Sequence, residues 1–428
     1  MGQENNTFAI ITSLLKTIVG AGMLALPFAC RQEGLLLGCT MIAVAALTTG
    51  GGLLFQALSA GYVPKGQASF ASVCGVTYPR LGVVFDLAIA IKCFGVAVSY
   101  LIIIGKLCPI IAEYFGLGGI FLHNKLWVTV ALFSTMPFSF RKTLESLKFT
   151  SIVGLMAAAY LVLLVVCHFI AGDTTRGPVN AWPKDTGAVL TSLPIILFSY
   201  TCAQNMYQAL NELENDSPGE IYKLIVACLG GSCLIYLVVA ITGYLSFGDL
   251  VQDNIISMYP QSIFSTLGRL SMVIMVFFSY PLQLHPSRAS LINIITAVSE
   301  KRLMLDSEAP LLVDESQETI DAKYSTDNRL FFWCTIGLLA VSYAIALSVD
   351  SLELVLSFVG SVGATSISFI LPGFFGYKLS TFEHPNRLFS LTRTSKSCIR
   401  VLSLVLIAWG FATFASGLGA NIWRLLRK

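Results

Sequence analysis

Lys16-Thr17-Ile18-Val19-Gly20-Ala21-Gly22-Met23-Leu24-Ala25-Leu26-Pro27-Phe28-Ala29 is the stretch on which the fold turns. It lies in an apolar run that starts after Thr7 and is long enough to cross a bilayer, and Gly20-Ala21-Gly22 interrupts that run at its middle. A second interrupted run, 188–210, carries Pro194, then Ser199-Tyr200-Thr201-Cys202 and Gln204-Asn205. Counting outward, these are the first and sixth of eleven apolar segments: 8–30, 35–58, 81–112, 126–140, 149–170, 188–210, 222–247, 263–285, 330–348, 352–376 and 398–422. Irregular backbone at membrane depth leaves N–H and C=O groups that lipid cannot satisfy. A bound ligand can. The N-terminus of a half-helix suits a carboxylate, and the C-terminal carbonyls suit an ammonium or a cation. An α-amino acid carries both groups. Interruptions at corresponding places in two five-segment halves therefore point to a transport site. Glycines alone merely permit close helix packing, which is the reading for Gly50-Gly51-Gly52 and Gly230-Gly231.

Composition agrees. Of 428 residues, 55% are hydrophobic and 12% charged, against roughly 25% charge in a soluble domain. The mean hydropathy is +0.75. A soluble protein, a disordered chain and a single anchor on a soluble domain are excluded. An all-α integral membrane protein remains. A net charge of +3 gives no basis for nucleic-acid binding. The 11 cysteines are scattered, mostly in apolar runs, without a CxxC pair, and read as small hydrophobes. The first apolar run is too long, and lacks the basic n-region, for a cleavable signal peptide. No nucleophile–base set, metal-ligand spacing or phosphate loop occurs, so neither an enzyme nor a metal or other cofactor is expected.

Connections are short except for 286–329, which is polar and acidic and reads as a mobile loop, with an interfacial helix at 290–302. Its Glu308-Ala309-Pro310-Leu311-Leu312 is one residue short of an acidic dileucine sorting signal. With the N-terminus cytoplasmic, sixteen Lys and Arg fall on the inside and eight on the outside; without the long loop the count is eleven to eight. The positive-inside rule favours that orientation modestly. Both sequons, Asn5-Asn6-Thr7 and Asn215-Asp216-Ser217, are then cytoplasmic.

The opening stretch resembles the first-helix signature of the amino acid/auxin permease family. Leu193-Pro194-Ile195 through Ser199-Tyr200-Thr201, with Gln204-Asn205-Met206 and Asn211-Glu212-Leu213, resembles that family's sixth helix, and Ser279-Tyr280-Pro281 with Pro286-Ser287-Arg288 resembles the end of its eighth. Within the family the chain is most similar to fungal vacuolar amino acid transporters. The resemblance implies 11 transmembrane helices in a LeuT-type 5+5 inverted repeat plus one. Residues 1–180 then form the first repeat, 181–380 the second, and 381–428 the last helix. It implies a midplane site in which the backbone of Gly20, Ala21, Gly22 and Met23 meets the substrate carboxylate. Carbonyls near Thr17, Phe198 and Tyr200 face the amino group. Tyr200, Thr201 and the helix-three residues Phe94 and Val98 would set selectivity.

An ionisable residue within a span is a functional candidate by default. Lys16 and Lys92 are the deep ones; Lys106 is expected to snorkel at the outer end, Asp249 and Asp253 to be solvated, and His168 and His285 to anchor at interfaces. In sodium-coupled relatives an asparagine occupies the position matching Lys16 and a helix-eight hydroxyl, matched by Ser279, completes the sodium site. A lysine ammonium there would repel sodium, so Lys16 and Ser279 are read as the ion-coupling pair of a sodium-independent, proton-linked carrier. The resulting expectation is a monomeric carrier of amino acids, proton-linked, exporting to the cytosol across a vacuolar or lysosomal membrane. The alternatives are an amino-acid sensor on the same fold and a sodium-coupled plasma-membrane carrier.

Overall fold

The computed structural model describes residues 2–141, 149–306, 317–349, 351–390 and 392–426, excluding the side chains of 2–6, 149–153, 300–306 and 317–327. Helix α1 (Gly2–Ile18) stops short of Gly20, whose backbone is extended at φ −135°, ψ −151°. A 3₁₀ turn (Ala21–Ala25) follows, and α2 (Leu26–Glu33) restarts with Pro27 in its first turn, where a missing N–H breaks no helical bond. The two pieces bend by 41°. Next come α3 (Leu35–Ala60), the short α4 (Phe70–Thr77), α5 (Gly82–Tyr114), α6 (Asn124–Ser139) and α7 (Phe149–Ala171).

The second half repeats the device. Helix α8 (Thr186–Ser199), capped by Asp185 on the amides of Gly187 and Ala188, ends five residues after Pro194. Residues 200–202 are not helical, and α9 (Ala203–Glu212) resumes the span. Then follow α10 (Pro218–Phe247), α11 (Ile263–Asp306), α12 (Gln317–Ser348), α13 (Leu352–Phe358), two wide π turns (Val359–Ala364 and Ser366–Ile370), α14 (Leu371–Leu379) and α15 (Arg393–Leu426).

All eleven apolar segments fall on helices. Among the described residues, nine helices are long and apolar enough to cross a membrane, and the bent first pair makes ten. Helix α6 has 16 residues, fewer than the roughly 20 that span a hydrocarbon core. Part of the stretch read as a loop is helix: α11 continues to Asp306 and α12 begins at Gln317. Residues 287–306 contain neither Gly nor Pro, so nothing local stops α11 once Pro286 is passed. The dileucine-like Glu308–Leu312 lies outside the described residues.

Helices α5 and α11 share the most extensive interface. Helix α10 packs on α1, α2, α3 and α7, while α8 packs on α2, α13, α15 and the first π turn. Ridge contacts of this kind, through small and apolar side chains, hold helices together where no hydrophobic effect operates between them. Asp249 and Asp253, expected to be solvated, are engaged instead. Lys106 meets Asp253 at 2.8 Å, and the same carboxylate accepts the backbone N–H of Leu352, at the start of α13, at 3.0 Å. Asp249 pairs with Lys184 at 2.5 Å and with Asn180. Arg269, counted with the outer loops, is fully buried in α11 and donates to the carbonyls of Ile256 and Tyr259.

Candidate functional site

The two helix breaks touch. A methyl group built on Gly22 would lie 2.8 Å from Ser199 Oγ and 3.0 Å from Ser199 Cα, so a side chain there would force the end of α8 to shift. Only glycine at 22 lets the 3₁₀ turn approach the end of α8. Tyr236 of α10, fully buried, fixes this junction. Its hydroxyl lies 2.6 Å from the Ile18 carbonyl and 2.6 Å from the Ser199 carbonyl, so one proton is shared between the last carbonyls of α1 and α8. A helix end leaves such carbonyls without intrahelical donors.

Around the junction lies a cavity enclosing about 390 Å³ of empty space, counting its open mouth. The first break contributes Thr17, Ile18, Gly20, Ala21 and Gly22; the second contributes Phe198, Ser199, Thr201 and Gln204. Helix α5 contributes Lys92, Val96 and Tyr100, spaced four apart on one face, and α11 contributes Gln283. The hydroxyl of Thr17 accepts from Asn205 Nδ2 at 3.0 Å, tying α1 to α9. Gln204 Oε1 is buried without a hydrogen-bond partner. A second, open depression lies between α1 and α9, lined by Ser13, Leu14, Asn205 and Gln208 among others.

Of the residues expected from sequence, Thr17, Gly20, Ala21, Gly22, Phe198 and Thr201 are therefore gathered at one cavity. Met23 is not on its wall: it is 1% exposed and its N–H is already bonded to the Gly20 carbonyl at 3.1 Å. Tyr200 is fully buried behind the break, its ring edge-on to Tyr236 with centroids 4.9 Å apart. Phe94 and Val98 lie on α5 but not on the wall, because the cavity face carries 92, 96 and 100 and a two-residue offset turns a side chain about 200° round the helix. Apart from Lys92 and a few other polar side chains, the middle of α5 is apolar on every side, so its apolar pattern gives no phase.

Lys16 sits apart from the cavity wall, half-buried. A methyl built on Gly154 of α7 would lie 2.9 Å from Lys16 Cε, 3.7 Å from its Nζ and 3.8 Å from Met275 Cγ of α11. The lysine thus reaches into the space between α7 and α11. Ser279, one turn beyond Met275, donates to the Met275 carbonyl at 2.7 Å. His168 is buried at the end of α7, between Asp173 at 2.8 Å and Ser265 at 3.1 Å. Reading the residues alone missed Tyr236, Tyr100, Gln204 and Gln283. The available signal was a polar side chain inside an apolar segment, which Gln204 and Gln283 satisfy and which Tyr, common in membrane helices, does not.

The family profile described as "Transmembrane amino acid transporter protein" matches residues 4–416. The chain is 42% identical to Vacuolar amino acid transporter 5 of Schizosaccharomyces pombe, covering 87% of this chain and 86% of that one. It is 37% identical to Vacuolar amino acid transporter 6 of Saccharomyces cerevisiae, covering 96% and 98%, and 36% identical to Vacuolar amino acid transporter 5 of the same yeast, covering 98% of both. With paired helix breaks at one cavity and these matches along nearly its whole length, the chain belongs to the transmembrane amino acid transporter protein family.

Proposed function

We propose that this protein is a secondary active transporter of amino acids in a vacuolar or lysosome-like membrane, with its N-terminus in the cytoplasm. The observation that carries the reading is the meeting of two broken helices at one cavity. The first amides of the Ala21–Ala25 turn lack intrahelical acceptors by geometry and suit a substrate carboxylate. The carbonyls of Ile18 and Ser199, sharing a single hydroxyl donor, suit its ammonium. The relatives' names supply the substrate class and the membrane.

The fold we propose is a LeuT-type 5+5 inverted repeat with α15 as an eleventh spanning element, acting as a monomer. Its support is that α1/α2 and α8/α9 are interrupted alike, five segments apart. Alternating access then moves the broken helices against the α5–α11 scaffold. Coupling is to protons rather than sodium. Lys16 and Met275 of α11 both lie against Gly154 of α7, and Ser279 is one turn beyond Met275; the lysine's charge would repel sodium there. An acidic lumen drives export by symport.

Counterflow in proteoliposomes with a panel of amino acids, with and without a pH gradient and sodium, tests the whole reading. Exchange that responds to the pH gradient and ignores sodium is expected. Strict sodium dependence would refute the role of Lys16, and binding without flux would replace transport by sensing.

A further inference from the structure

The cavity holds one group that an ordinary amino acid leaves unmatched. Lys92 lines it from α5 and is 2% exposed. No hydrogen bond or ion pair engages its ammonium among the described residues, and the titratable groups beside it are the thiols of Cys93 and Cys202, not carboxylates. Its position is built rather than accidental. A methyl on Gly363 of the first π turn would lie 2.6 Å from Lys92 Cβ and 2.7 Å from its Cα, so the tenth apolar segment presses on α5 at this residue. A buried ammonium with three donors and no acceptor is strongly disfavoured unless something supplies a counter-charge.

We infer that Lys92 is the counter-ion for a carboxylate on the substrate's side chain, so that the cavity selects amino acids carrying a second carboxylate. This rests on the transport reading above and deepens it. The matching of charges is direct. The amides of the first break take one carboxylate, the Ile18 and Ser199 carbonyls take the ammonium, and Lys92 takes the remaining carboxylate. Gln204, whose buried Oε1 has no partner, and Tyr100 on the same face as Lys92 supply further polar groups. A side chain ending in a cation would meet Lys92 as a like charge at low dielectric and be rejected.

The test is counterflow with purified full-length protein in proteoliposomes, offering labelled glutamate, glutamine, leucine and lysine. Glutamate should exceed glutamine by roughly 30-fold or more in transport efficiency, the range lost when one partner of a buried charge pair is absent, and lysine should not be carried. In Lys92→Met the glutamate-to-glutamine ratio should collapse towards one, while Lys92→Arg should keep it. Glutamate should also raise the melting temperature of the detergent-solubilised protein more than glutamine does, and Lys92→Met should abolish that difference. A wild-type protein that carries glutamine or leucine as well as glutamate overturns the inference, even where Lys92→Met does not fold. So does a Lys92→Met variant that keeps the preference but loses its response to pH, which would make the lysine a proton carrier. Failure of every amino acid to exchange would instead sink the transport reading.

Discussion

Replacing Tyr236 by phenylalanine removes one hydroxyl and leaves two buried carbonyls, those of Ile18 and Ser199, without the donor they share. The ring is fully buried against Tyr200, so Phe fills the same space and the change isolates the hydrogen bonds. An unsatisfied buried carbonyl costs about 1–3 kcal/mol. Two carbonyls shared one proton, so the combined loss should fall in about that range rather than at twice it. It should appear as a melting temperature several degrees lower in detergent. The functional effect should be larger, because the hydroxyl couples the ends of α1 and α8, and both ends are proposed to move in transport. Counterflow should drop several-fold in rate, with glutamate and glutamine affected alike. Thr242→Val, on the same helix with its hydroxyl bonded to the Val238 carbonyl at 2.6 Å, serves as the control and should change neither readout. A Tyr236→Phe protein that melts and exchanges like the wild type would refute the argument that this hydroxyl holds the junction.

Lys16→Ala should abolish the pH-gradient response of transport; an alanine variant with an unchanged pH profile removes Lys16 as the proton-coupling group. Gly154→Ala places a methyl 2.9 Å from Lys16 Cε, a flexible stem that can move. Its stability loss should therefore stay under about 1 kcal/mol while the coupling measured by pH dependence shifts; a large loss of folding would mean that the stem cannot yield. Asp216, in the α9–α10 connection, is raised by burial but pulled lower by its hydrogen bond to Arg387 and by Lys65, with a net shift below the usual 3.8. A depressed carboxylate stabilises above its unfolded value and loses that contribution as pH falls through its folded value. Asp216→Asn should therefore lower stability by no more than about 1 kcal/mol at pH 7, as exposed pairs do, and the difference from wild type should shrink as pH falls through the carboxylate's folded value; a larger effect at acid than at neutral pH would contradict the assignment.

The eleven apolar segments and both helix breaks were legible in the sequence because they depend on local properties. Hydrocarbon thickness demands runs of apolar residues, and Gly20-Ala21-Gly22 and Ser199–Cys202 are poor helix on their own account. The boundary of α11 was misread because polarity was taken for a loop, whereas a gap of twenty residues without Gly or Pro favours continued helix. The site was legible only where the breaks themselves form it. Phe94 and Val98 lie off the cavity face, and the apolar pattern of α5 gives too weak a stripe to fix its rotation from sequence. What the sequence determined by itself is the membrane class, the segment order and the location of irregular backbone. Tertiary structure alone decided which face of α5 meets the cavity, that Tyr236 bridges two helix ends 37 and 218 residues away, and that Lys92 reaches the cavity without a charged partner among the described residues. Those depend on how helices rotate and approach one another, and in lipid that is set by the fit of small residues such as Gly22 and Gly363 rather than by any periodic pattern along the chain.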